Sequence, residues 1–154
     1  MKKHLVFVFA LLLVLLSCGS AFAVEISGNS PPTINGALPY YTSKTKIYEY
    51  VYTAERFKPG SDGKIFVCFY GQPQSSSPAT TVTLKIEVNS TNYPISTKSV
   101  SGSNFPFTPQ YCVSGLDPTK YYHGAVTKNN TAQYMYIKVG YGKSKAQARN
   151  FTFN

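Results

Sequence analysis

Side chains able to do acid–base or nucleophilic chemistry are few in this chain. Beyond position 23 there is one histidine, His123, which follows Ser114 and Asp117 at short spacing. A serine–histidine–carboxylate triad needs convergence in space and an oxyanion hole, and proximity along a chain provides neither. Paired carboxylates for glycoside hydrolysis could come only from Glu25, Glu49, Glu55, Asp62, Glu87 and Asp117, and most of these fall in turns or at strand ends. Metal-ligand spacing and a glycine-rich phosphate loop are absent, so no cofactor, no metal and no enzyme activity are expected. Tyrosine is the richer resource. Tyr121, Tyr134 and Tyr136 offer rigid amphipathic rings, and His123, Lys85 and Lys138 offer charge and hydrogen bonds. Such a set suits stacking on sugar rings, an anionic polymer or a protein partner. The same tyrosines also make ordinary cross-strand pairs that stabilise sheets.

The elements that must position them read as strands. The chain holds 13 Tyr and 10 Phe but no Trp, and only 14% of it is charged; that bias, with no sustained helical period, predicts an all-β protein. Strand signals separated by turn residues span Thr45–Phe57, Lys64–Tyr70, Thr80–Val88, Tyr93–Val100, Phe107–Ser114, Lys120–Thr127 and Gln133–Tyr141, with a last short piece at Asn150–Phe153. Seven such strands predict an antiparallel β-sandwich over residues 45–154. Residues 24–44 are rich in Pro, Ser, Asn and Gly and read as an extended lead-in. Alternation places Val82, Leu84, Ile86 and Val88 on one buried face, and Met135, Ile137, Val139 and Tyr141 on another. In the first strand, Tyr48, Tyr50 and Tyr52 share a side opposite Glu49. Burying an unpaired Glu49 would cost several kcal/mol, about what loss of hydration costs a charge, so the tyrosines are expected inward.

The amino terminus predicts where the protein works. Met1-Lys2-Lys3-His4, an apolar run from Leu5 to Leu16 and the small-residue pattern Ala21-Phe22-Ala23 form a bacterial-type secretory signal over residues 1–23. The expected location is therefore secreted or periplasmic. Cys18, within Leu15-Leu16-Ser17-Cys18, resembles a lipoprotein processing site, so lipid anchoring at the cell surface is the alternative. Cys68 and Cys112 remain, and an even pair in a secreted domain predicts one disulfide, contributing about 4 kcal/mol for a loop of this length. The whole chain carries a formal +9, and without the leader about +7. An anionic polysaccharide or envelope polymer, or an extracellular protein, is the expected partner. A dedicated nucleic-acid protein would carry a denser basic stripe than Lys143, Lys145 and Arg149 provide.

One segment is more specific. Tyr111-Cys112-Val113-Ser114-Gly115-Leu116-Asp117-Pro118-Thr119-Lys120-Tyr121-Tyr122 resembles the connection between the fifth and sixth strands of fibronectin type III and immunoglobulin-like sandwiches. Leu116, Pro118 and Tyr122 take the places of the Leu, Pro and Tyr of that pattern. The resemblance implies that Tyr122 is a tyrosine corner, its hydroxyl bonded to backbone a few residues upstream. It also implies that Cys68 and Cys112 lie on neighbouring strands with Val67 and Val113 inward, and that the last two long strands share a sheet. The outer face of that sheet would display Tyr121, His123, Tyr134, Tyr136 and Lys138 beside Thr83 and Lys85. A scaffold of this kind implies non-catalytic binding or adhesion, with self-assembly by strand donation as the alternative.

Overall fold

Two antiparallel sheets pack face to face in the computed structural model, which describes residues 26–27, 30–73, 80–88, 94–102 and 111–152. The leader with Cys18, the first part of the expected fifth strand and the end of the expected last piece lie outside these residues. The first sheet runs, in spatial order, β1 (Ile26–Ser27), β5 (Tyr50–Thr53), β11 (Tyr122–Lys128), β8 (Thr80–Val88) and β9 (Pro94–Gly102). The second runs β10 (Tyr111–Val113), β7 (Ile65–Pro73), β12 (Met135–Gly142) and β3 (Tyr40–Tyr41), with β4 (Thr45–Ile47) also paired to β12. A short parallel pair, β2 (Ile34–Asn35) with β6 (Glu55–Arg56), sits apart from both.

The predicted alternation on β8 and β12 is present. Val82, Leu84 and Ile86 face Val67, Phe69, Ile137 and Val139 across the interior, and this apolar contact between sheets is the main stabilising surface. The Tyr122 ring is buried, as is Leu116, and the Tyr122 hydroxyl accepts a 2.9 Å bond from the Asp117 amide. That is the tyrosine-corner arrangement the sequence implied. Gly115, with φ of 75°, supplies the left-handed residue this connection turns on.

Strand order departs from the expectation. β11 pairs with β5 and β8, whereas β12 pairs with β7, so the last two long strands lie in opposite sheets. The predicted first strand is likewise not one strand. It begins in the second sheet as β4, bends at Tyr48 and Glu49, and continues in the first sheet as β5. The bend also overturns the burial expected of Tyr48 and Tyr50, though Tyr52 is buried. Ile47 is fully buried and Val51 packs on the core, while Glu49 falls where the chain leaves one sheet for the other and stays in water. The carboxylate therefore imposes no burial cost, and Tyr48 and Tyr50 turn outward.

A short helix that the sequence did not announce precedes the expected last piece, whose described residues 150–152 form no strand. Ser144 caps α1 (Lys145–Arg149), its hydroxyl accepting from the Gln147 amide at 3.2 Å. The helix lies on the outer face of β12, where a Cβ on Gly140 would stand 2.2 Å from the Ala148 carbonyl oxygen. Only a glycine admits that approach. The Tyr41 hydroxyl donates to the Gln147 carbonyl at 2.6 Å and fixes the helix from the other side.

Cys68 and Cys112 do lie on neighbouring strands, with Val67 and Val113 inward, but they are free thiols. Cys112 is opposite Phe66 in the ladder, so Cys68 is its diagonal neighbour and not its direct partner. Diagonal positions are about 7–8 Å apart in such a pair, beyond disulfide reach without a backbone shift. Cys68 is buried, near α1, and burial holds its thiol above its usual range, with the nearby Arg149 opposing the shift. Alkylation of the folded protein followed by peptide mass mapping should therefore label Cys112 and spare Cys68. Gly140→Val, by displacing α1, should expose Cys68 to the reagent. Failure of both thiols to react after unfolding without reductant would show that they are bridged.

Candidate functional site

Aromatic and cationic side chains concentrate where the chain crosses between sheets. From Lys44 to Tyr52 every second residue is Lys, Lys, Tyr, Tyr, Tyr; the first four of these open to water, whereas Tyr52 is buried. The Lys46 ammonium stands 3.9 Å from the centroid of the Tyr134 ring and 5.3 Å from that of Tyr48. Lys44 stands 5.2 Å from the Tyr136 centroid. Tyr48 and Tyr134 meet edge to face at 5.8 Å, and Tyr134 and Tyr136 at 5.5 Å. A hydrogen bond to Tyr48 holds the Lys46 ammonium above its usual range. Both charge and ring faces are thus presented together, with Tyr48 half exposed.

Past Tyr48 this strip opens into a groove of about 670 Å³ lined by Lys46, Tyr48, Glu49, Tyr50, Tyr52 and Lys85, with the backbone of Ile47 and Val51 beneath. Tyr50 and Tyr52 meet edge to face at 4.6 Å, and Lys85 stands 5.3 Å from the Tyr50 centroid. Below them is a buried ionisable pair. His123 Nε2 and Glu87 Oε2 lie 3.0 Å apart with both side chains sealed from water. The Tyr50 hydroxyl donates to Glu87 Oε1 at 3.3 Å, and the Tyr52 ring lies edge-on to His123 at 5.3 Å. Burial pushes the Tyr50 phenol well above its usual range, as do its bond with Tyr52 and the adjacent carboxylate. Burial also pushes the His123 imidazole below its usual range, against the opposing pull of Glu87. Nδ1 of His123 has no hydrogen-bond partner among the described residues, which favours the neutral ring donating from Nε2 to the carboxylate.

The sequence-predicted site residues separate accordingly. Tyr134 and Tyr136 belong to the strip, and Lys85 to the groove joined to it by Tyr48. Tyr121 stands elsewhere, its ring centroid 5.1 Å from the Arg56 guanidinium and 5.0 Å from Lys58. His123, expected at the surface, is buried, because the register sets it beside Glu87 and beneath Tyr52. Lys138, also expected at the surface, is covered: its ammonium donates to the Thr152 carbonyl and lies 5.8 Å from the Phe151 ring centroid. Lys44, Lys46, Tyr48 and Tyr50 were missed as site residues. The i, i+2 spacing of the tyrosines was visible but was assigned to an inward face, and Lys44 was placed in the lead-in.

Among the described residues no group of three or more His, Cys, Asp or Glu is placed to hold a metal ion, and no helix is long and apolar enough to cross a membrane. No family model, curated protein or solved structure matches the chain.

Proposed function

We propose that this protein is an exported, non-catalytic binding module that takes an acidic glycan or envelope polymer on the strip and groove between Tyr136 and Lys85. The carrying observation is Lys46 seated 3.9 Å over Tyr134 beside the half-exposed Tyr48. Tyrosine faces and edges supply apolar contact with the carbon face of a sugar ring, and ammonium groups pair with carboxylate or sulfate substituents. The net charge of +9 favours encounter with polyanions. The leader over residues 1–23 supports export, and Cys18 supports lipid anchoring as the alternative route to the cell surface. The tyrosine corner supports an immunoglobulin-like or fibronectin type III-like scaffold with an altered strand order.

The test is a glycan and envelope-polymer array run at low and physiological salt. The protein should bind acidic polymers in a salt-sensitive way, and Tyr48→Ala with Tyr134→Ala should weaken binding at least about tenfold, the loss of two contacts each worth ~1 kcal/mol. Binding unchanged in the folded double variant would sink the assignment of these residues.

A second reading is a self-assembling subunit. It is favoured by β9, a nine-residue strand paired, among the described residues, only to β8 and exposed along most of its length. Concentration-dependent association in sedimentation, in the absence of any polymer, would support that reading over the first.

A further inference from the structure

The groove continues onto a flat hydroxyl-bearing face. On the outer side of the first sheet, Tyr50, Thr127, Thr83 and Ser99 stand in register on four adjacent strands. That row spans three interstrand spacings, roughly 14 Å. The neighbouring row is Tyr52, Ala125, Lys85 and Thr97. Ala125, buried between Tyr52 and Lys85, keeps the middle of the face low. Thr83 Oγ1 and Ser99 Oγ lie 2.9 Å apart, and Thr81 Oγ1 and Ser101 Oγ 2.7 Å apart. Each such pair uses one donor and one acceptor, and leaves a further donor and lone pairs for a ligand.

Among the described residues of these two rows, Lys85 is the only charged side chain, while Glu49 lines the adjoining groove. Lys85 is partly open to water, whereas Glu87 is sealed beneath the surface with His123. Glu49 stands off the row at the bend between sheets. From these placements we infer that the glycan is bound as an extended acidic chain laid across the strands, along Tyr50, Thr127, Thr83 and Ser99, with Lys85 pairing to one of its carboxylates. The inference rests on the proposed glycan-binding function and specifies the ligand as a linear oligosaccharide longer than two units. The groove ends at Tyr50 and Lys85 and does not include Thr127, Thr83 or Ser99; the hydroxyl row is reached only by a chain that extends past it.

Oligogalacturonides of two, four and six units serve as probes, with affinities measured by calorimetry on the full chain. Affinity should rise about tenfold from two units to six, the increment of one or two further hydrogen bonds of ordinary strength. Thr83→Val with Ser99→Ala removes the hydroxyls while keeping β-forming side chains, and should abolish that rise. Equal affinity at every length, or a rise that persists in the variant, overturns the extended chain while leaving the groove reading intact. No binding at any length overturns both.

Discussion

Replacement of Glu87 by alanine should destabilise the protein by about 3–5 kcal/mol, the usual cost of breaking a buried pair from one side. The carboxylate accepts from His123 on one oxygen and Tyr50 on the other, and the sealed His123 has no water to turn to in its place. Glu87→Gln retains an acceptor and should cost far less. Replacing both members with apolar residues should recover most of the loss, since desolvation offsets much of what a buried pair contributes. Urea unfolding of the single and double variants measures the coupling; a cost below about 1 kcal/mol for Glu87→Ala would mean that the pair is not sealed.

The same pair sets a pH dependence of definite sign. The folded state holds the His123 pKa below its ordinary value, with burial the dominant cause. A proton on Nδ1 would be a buried donor with no acceptor. The stabilisation is therefore complete above about pH 6.5, the unfolded value, and is lost as pH falls from there toward the lowered folded value. His123→Gln should flatten the stability profile over that acid window. Because Tyr50 and Tyr52 contact the pair, loosening of the groove wall should follow the same titration.

Gly124→Ala should be the most damaging single methyl addition in the first sheet. Its Cβ would stand 2.1 Å from the Tyr141 hydroxyl oxygen and 2.4 Å from Cζ of that ring. Tyr141 cannot swing aside, because it is almost wholly buried against Phe57 at 5.0 Å and Tyr40 at 6.0 Å between ring centroids. Overpacking of this severity costs about 3 kcal/mol. Tyr141→Phe should rescue part of the loss, by removing the closest atom but not the ring carbon behind it. Thermal unfolding of the three variants decides the matter: a Gly124→Ala midpoint equal to wild type would show that the sheets separate more easily than the contact implies.

The two glycines and the buried pair show where one-dimensional reading stops. Alternation on Val82 to Val88 and Met135 to Tyr141 identified their inward faces correctly, since a strand has one period and an apolar set must leave water whichever sheet holds it. The segment around Leu116, Pro118 and Tyr122 was equally legible, because its contacts are local: the Tyr122 hydroxyl reaches an amide five residues away. The all-β class, the inward faces of β8 and β12 and the Tyr122 hydroxyl contact were therefore legible in the sequence alone.

Everything that depends on which strand lies beside which was decided by tertiary structure. His123 looks like a surface residue on β11 until the register sets it against Glu87, 36 positions earlier. Lys138 looks like a ligand contact until the carboxyl-terminal segment folds back over it. Tyr48 and Tyr50 open to water only because the chain changes sheets at Glu49, a bend that frees the carboxylate from the burial that strict strand geometry would impose. Local periodicity determines which side of a strand is apolar; long-range pairing decides what covers the other side, and hence which polar residues remain available to bind.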